Sequence, residues 1–481
     1  MKNVSLGQLL LPLIFFVCTG NVNAQFNISG EFRLRPEYRD GFQGIRDSSR
    51  TPYLLLPGRA RLLFDYSNEK FSTRFSLHDA FVFGQNIYSS DTITKNTINI
   101  YEVWVKYNFL KSFGIQAGRV ELLYDDHRFI TNAIWPMTGA THDLVLFKWN
   151  FAGINYKSDL GIAINNTAPS TPYLASYNIK NNYKYMTYLW IQKKFFNDKL
   201  TLSLLGLIDV FQKYSDNVTN LKTTYDTLII RNSNDSIIGT TILPIITKTT
   251  GSIEYPDILY ARGTVGLDCW YNLNEWDFFL SAYYQGGHAR DSRKINAYFV
   301  TAYASCQVIK ELKLTVAFDH LSGTDFSDTN RTKTTINGFS TLYGSGHLFY
   351  GYMELFSSYA KNNASEGLNN LSVRANISLN EKMSIEAKYH WFNMAYRYIP
   401  VTDSKNGQPP YISVNRNMGS EVDLTFTYKA LPNADLSVWY SFYFPTKAME
   451  LLCNLKAGTA KFAQFAYLQI NYKPNFFNSG K

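Results

Sequence analysis

The sequence predicts an all-β protein: a transmembrane antiparallel β-barrel of about eighteen strands, with short periplasmic turns and long extracellular loops. Three observations carry this. Strand-length segments alternate between apolar and polar residues from near the N-terminus to the C-terminus. After Ala24 no apolar run reaches the length of a helical membrane span. Tight turns alternate with long polar connections along the chain.

Met1 to Ala24 have the form of a cleaved secretory signal peptide. Lys2 supplies the charge, Leu9 to Val17 the apolar core, and Val22-Asn23-Ala24 the small-residue cleavage site. Cys18 raises a lipoprotein alternative, but Val17 before it is a poor fit to a lipidation site. No linker divides residues 25–481, which are expected to form one outer-membrane barrel domain.

The first strand, 26–39, sets the pattern. Phe26, Ile28, Phe32, Leu34 and Tyr38 fall on one face, and Asn27, Ser29, Glu31, Arg33, Arg35, Glu37 and Arg39 on the other. In 58–67, Arg59, Arg61 and Asp65 oppose Ala60, Leu62, Phe64 and Tyr66. In 71–83, Arg74 and His78 oppose Phe71, Phe75 and Leu77. In 98–109, Glu102 and Lys106 oppose Tyr101, Val103, Val105, Tyr107 and Phe109. In 383–394, Ser384, Glu386, Lys388 and His390 oppose Met383, Ile385, Ala387, Tyr389 and Trp391. In 419–429, Glu421, Asp423, Thr425, Thr427 and Lys429 oppose Val422, Leu424, Phe426 and Tyr428. Strand-like segments at 113–124, 143–151, 154–165, 185–195, 200–213, 259–272, 276–288, 297–308, 312–322, 368–379, 434–444 and 462–472 complete an even number, as a single-chain bacterial barrel requires. A segment at 346–356 lacks clean alternation and is not counted. Lys473 to Lys481 read as a short polar tail.

Ser67-Asn68-Glu69-Lys70, Phe196-Asn197-Asp198-Lys199 and Leu379-Asn380-Glu381-Lys382 are expected periplasmic turns. Long loops are expected at 84–97, 166–182, 323–345, 357–367 and 395–418, the longest running from about Ser215 to Pro256. Two-faced strands in this number fit a closed cylinder, apolar toward lipid and polar toward a lumen, better than a soluble sandwich. The mean hydropathy of −0.20 is compatible with this, because lumen residues dilute lipid-facing ones strand by strand.

The formal charge is +9, falling to +8 when Lys2 leaves with the signal. The excess is spread along the chain without a basic block, which argues against nucleic acid as a partner and suits an anionic solute or a lipid surface. Cys269, Cys306 and Cys453 are odd in number and far apart, so no disulfide framework is indicated.

The densest polar stretch runs from Gly118 to Arg128 and holds Arg119, Glu121, Tyr124, Asp125, Asp126 and His127. It continues through Asn132, Trp135, His142 and Asp143. It is expected to be a strand end plus a loop folding into the lumen. Charges at this density must pair or line water. They brace the lumen, or they form a selectivity region in which Arg and Lys favour anions. The acid–base reading of Asp125, Asp126 and His127 has little behind it: there is no second His at ligand spacing and no G-x-S-x-G. No enzyme, metal or cofactor is expected.

The chain resembles the alginate export family of outer-membrane β-barrels. Ser29-Gly-Glu-Phe-Arg-Leu-Arg-Pro-Glu-Tyr-Arg39 looks like that family's opening strand. Gly118-Arg119 with Glu121, Leu122, Tyr124, Asp126 and Arg128 looks like its G-R-x-E-L-x-Y-G-D-x-R signature, with Trp135, Gly139, His142 and Asp143 continuing the match. Ser322-Gly-Thr-Asp325, Leu342-Tyr-Gly344, His347 and Gly351 resemble a second block, and Glu421-Val-Asp-Leu424 and 467–474 the C-terminal strands. The resemblance implies an eighteen-stranded barrel with an Arg-lined, electropositive pore that passes a polyuronate by diffusion. Val120 stands where the family often has Gln, Asp125 where it has Gly, and Ala140 where it has Arg, which makes the constriction less positive.

The expected function is therefore a passive, porin-like channel for an anionic polysaccharide such as alginate, or another anionic solute, in the bacterial outer membrane. The expected pore-lining residues are Arg33, Arg35, Arg59, Arg61, Arg74, Glu102, Arg119, Glu121, Tyr124, Asp125, Asp126, Arg128, Asp143 and Arg374. Arg119→Ala is then expected to alter ion selectivity. Expected partners are outer-membrane lipid, the barrel-assembly machinery and, as a further candidate, a periplasmic export partner. A barrel plugged by its own loops and acting through its extracellular segments is the alternative.

Overall fold

A computed structural model describes residues 24–48, 50–84, 98–165, 182–231, 237–357, 366–400, 411–453, 455–456 and 458–480. The signal-peptide expectation for Met1 to Ala24 lies outside this range except for Ala24 itself, as do most of the loops expected at 84–97 and 166–182.

Eighteen antiparallel strands close into a barrel. In chain order these are β1 (Gln25–Leu34, resuming at Glu37–Asp40), β2 (Tyr53–Leu55 and Pro57–Ser67), β3 (Phe71–Val82), β4 (Asn99–Leu110), β5 (Phe113–Val120) and β6 (His142–Phe151). Next come β7 (Tyr156–Ile164), β8 (Tyr185–Phe195), β9 (Leu200–Arg231), β10 (Ile237–Leu273), β11 (Trp276–His288) and β12 (Lys294–Ile309). The circuit ends with β13 (Leu312–Leu321), β14 (Leu368–Ser378), β15 (Met383–Met394), β16 (Asn417–Leu431), β17 (Ala434–Pro445) and β18 (Ala463–Tyr472, resuming at Asn475–Asn478). Each strand pairs with its chain neighbours. β18 returns to β1, with Phe32 opposite Tyr472 and Glu37 opposite Tyr467.

The expected alternation is the alternation of the wall. On β1, Glu31, Arg33, Arg35 and Glu37 are buried toward the lumen while Phe32 between them is half exposed on the outside. On β4, Val103, Val105, Tyr107 and Phe109 form part of the outer apolar band. Rings gather beside the short turns: Phe109 with Phe113, Phe113 with Trp149, Phe151 with Tyr156, and Trp276 with Phe278. This is the aromatic belt of a membrane interface. No helix of the described residues is long and apolar enough to cross a membrane.

The turns follow local chemistry. The Asn68 side chain accepts from the backbone N–H groups of Lys70 and Phe71, and Phe196, Asn197 and Asp198 take left-handed backbone between β8 and β9. Four expectations need correction. The segment 215–256 is not a loop: β9 and β10 run past the barrel and stay paired to Arg231 and Ile237. Its Thr and Ile residues are β-branched strand formers as well as being partly polar. The strand expected at 113–124 stops at Val120, where the chain turns into the lumen. Tyr101, expected on the apolar face, is buried inward, because the β3–β4 register shifts between Ser76 and Leu77. The polar tail contributes Asn475–Asn478 to the seam with β1, where Phe477 lies opposite Ile28.

The lumen, its inner loops and a candidate pore

Two loops leave the wall and meet inside the barrel. One is 121–141, between β5 and β6. The other is 322–367, between β13 and β14, described as far as Ser357 and again from Glu366. Ile130 and Tyr343 form a parallel bridge, the Tyr343 N–H donates to the Phe129 carbonyl (3.0 Å), and the Ser345 N–H donates to the His127 carbonyl (3.3 Å). The approach is close at Gly344: a Cβ there would lie 1.7 Å from the Arg128 carbonyl oxygen. Glycine is therefore required.

The arginines of β1 and β2 grip the first loop. Arg33 Nη1 donates to the Ile134 carbonyl (2.7 Å), Arg35 Nη1 to that of Trp135 (2.9 Å), and Arg59 Nη1 to that of Met137 (3.4 Å). Glu31 ties them together, accepting from Arg33 (2.9 Å) and Arg59 (2.6 Å). Arg61 bridges Glu31 and Glu121 at 3.5 Å each and lies over the Tyr101 ring. Tyr101 and Asn132 also donate to Glu121. Arg35 pairs with Glu37 and stacks on Trp135, 3.7 Å from its centroid. These are charge-assisted bonds, each worth roughly 1.5–3 kcal/mol.

Arg128 anchors the second junction. It pairs with Asp126 and with Asp319 of β13, both at 3.0 Å, and lies over the Phe349 ring. Burial works against its charge, but Asp319, Tyr350 and Asp126 outweigh it and raise the guanidinium's pKa above its ordinary value. His347 stacks on Trp135 at 3.5 Å, and burial holds its pKa below the usual range despite Glu354 beside it. Tyr124 donates to Asp159 and contacts the Tyr188 hydroxyl. Asp125, in left-handed backbone, accepts from the Trp190 indole N–H, and burial raises its carboxyl pKa.

Beyond these loops the lumen opens toward the turn side. A cavity of about 620 Å³ is lined by Arg74, Glu102, Lys106, Lys148, Lys157 and Asp159, among others. Arg74 pairs with Asp65 and Glu102, and Lys148 with Asp159. The lining carries Arg74, Lys106, Lys111, Lys148 and Lys157 against Glu102, Glu121 and Asp159, and among the described residues Lys106 and Lys157 make no ion pair. A cavity of about 380 Å³ holds Arg374, 4.0 Å from Glu386, with Lys313 paired to Asp277.

Twelve of the fourteen expected pore residues thus reach the lumen or its inner loops. Arg119 and Asp143 do not. They form a two-bond pair (2.7 and 2.9 Å) on the outer wall, in a groove with Val103, Val145 and Ile162. The strand pleat decides this: Gly114, Gln116 and Val120 of β5 line the inner cavity, and the alternation leaves Arg119 outward. The sequence reading missed Asp319, Lys148, Asp159, Tyr350 and Phe349. The first three stand at lumen-facing positions of alternating strands and were legible there; the loop aromatics carried no signal of their own. No trio of His, Cys, Asp and Glu side chains among the described residues converges as metal ligands do.

A family model described as "Alginate export" matches residues 24–165 and 257–450. No protein of curated function matches the chain. Several solved barrels share the fold. Pseudomonas aeruginosa OccK2 (OpdF), solved in complex with glucuronate, is 12% identical with a TM-score of 0.53, over 94% of this chain and 97% of its own. Pseudomonas aeruginosa OpdO is 10% identical with a TM-score of 0.55, over 94% and 98%. Acinetobacter baumannii OccAB1 is 10% identical with a TM-score of 0.54, over 94% and 97%.

Proposed function

The chain belongs to the alginate export family, a family of outer-membrane channels rather than enzymes, and from its lumen we propose a passive pore for an anionic polysaccharide such as alginate, or for a smaller anionic solute. One observation carries the charge preference: Arg74, Lys106, Lys111, Lys148 and Lys157 line the turn-side cavity against Glu102, Glu121 and Asp159, an excess of cations below the inner loop that Arg33, Arg35 and Arg59 hold. The complex of OccK2 with glucuronate supports a uronate as the type of solute. A lumen of fixed, partly paired cations holds a carboxylate weakly at successive points and releases it, which passive conduction requires. Glu121, Tyr124, Asp125, Asp126 and Arg128 shape the constriction from the loop side, and Arg74, Glu102 and Arg374 line its approach. Lipid surrounds the wall, assembly machinery inserts it, and a periplasmic partner would deliver the polymer.

The test is the reversal potential of the reconstituted channel in a salt gradient. Lys106→Glu is expected to move it toward cations. An unchanged potential in a folded variant would remove Lys106 and its neighbours from the proposal. The plugged-barrel alternative draws on one observation, the two inner loops knitted across the lumen, and predicts no current at all.

A further inference from the structure

Three inward side chains lie side by side on adjacent strands. Ser203 of β9 is opposite Asp268 of β10, and Asp268 is opposite Ser281 of β11. All three are at most 1% exposed. Asp125 descends onto this row from the inner loop, and its carboxyl group is in hydrogen-bonding range of Asp268. Two buried carboxylates in contact cannot both stay ionised without a positive charge between them, and no basic side chain supplies one. The hydrogen-bonding neighbours are neutral: Trp190 donates to Asp125 (3.0 Å to each oxygen) and Tyr283 to Asp268 Oδ2 (2.7 Å), while the Asp126 carboxylate nearby adds negative charge. The closest guanidinium on the same loop, Arg128, is engaged by Asp126 and Asp319.

The oxygens around the contact are also underused. Asp268 Oδ1, Ser203 Oγ and Ser281 Oγ are buried without a hydrogen bond of acceptable geometry. Ser203 lies against Asp125, and Ser281 against Asp268. Two carboxylates and two hydroxyls form an all-oxygen set, which suits a hard cation and not a transition metal. The turn-side cavity reaches Tyr124 and Trp190, the residues beside Asp125.

We propose that Asp125 and Asp268, with Ser203 and Ser281, bind Ca²⁺ between the inner loop and the β9–β11 wall. The ion joins loop to wall. It also accounts for an aspartate at a left-handed position otherwise suited to glycine. With only two carboxylates the affinity belongs in the weak range of extracellular calcium modules, Kd of about 10⁻⁴–10⁻³ M.

Trp190 makes the site readable. The full mature chain, refolded in detergent free of lipopolysaccharide, is titrated with Tb³⁺ under excitation of tryptophan. Saturable, indole-sensitised emission that Ca²⁺ displaces at roughly 10⁻⁴–10⁻³ M is expected. Asp268→Asn and Asp125→Gly should each abolish it; the second keeps the backbone unstrained and so guards against a folding failure. Trp190→Phe should dim the emission while Ca²⁺ still raises the melting temperature. Absent saturable emission from the folded wild type, or emission that survives both aspartate substitutions, would overturn the assignment and leave a shared proton as the neutralising charge.

Discussion

Arg59 and Arg119 show how far two arginines in one barrel differ. Arg59 is 1% exposed, shared between Glu31 and the backbone of the inner loop. Removing it leaves Glu31 buried with a partner fewer and frees the loop. Arg59→Ala is expected to cost about 3–5 kcal/mol, read as a lower denaturant midpoint in the gel-shift assay for folded barrel. Arg119 is 42% exposed in its side chain and faces the outer wall beside Asp143. Arg119→Ala should cost no more than about 1 kcal/mol and leave ion selectivity unchanged. A shifted reversal potential would put its guanidinium in the ion path. The family signature made Arg119 a pore residue on paper; the pleat, one residue at a time, sends it outward. Alternation alone would have assigned it correctly had the strand's inward phase been anchored on Gln116, but Gly118 leaves that phase unmarked by any side chain.

At the scale of the element, the inner loops decide the pore. Their junction at Gly344 has no room for a side chain, so Gly344→Ala should part them and raise the current noise without preventing assembly. Single-channel recordings as quiet as wild type would deny the junction that role. His347 adds a pH dependence with a definite sign. Burial lowers its folded pKa, so its contribution is fully present above the unfolded value and is lost as pH falls. Protection of the 345–357 backbone against hydrogen exchange is expected to decline between about pH 7 and pH 5; flat protection would mean that His347 does not govern it. Strand order and spacing were readable from alternation: 185–195, 276–288 and 383–394 match the strands residue for residue. The loop junctions were not. They depend on contacts such as Arg128 with Asp319, nearly two hundred residues apart, and no local pattern reports a pairing at that distance. The extended β9–β10 hairpin was missed for the opposite reason, since threonine serves strand and loop alike.

For the whole molecule, the net positive charge is distributed unevenly. Arg33, Arg35, Arg59 and Arg128 are spent holding an inner loop to the wall, while Lys106 and Lys157, which make no ion pair among the described residues, stand beside one cavity. Conduction then depends on what passes between the inner loops, and charge preference on the wall beneath them. The most direct test is single-channel current of the refolded mature chain in a planar bilayer under a salt gradient, before and after addition of oligouronates. Anion-selective current that the oligomers block is the predicted result. A heat-modifiable, folded barrel that carries no current would contradict it, and open current indifferent to the oligomers would keep the pore but remove the polyuronate.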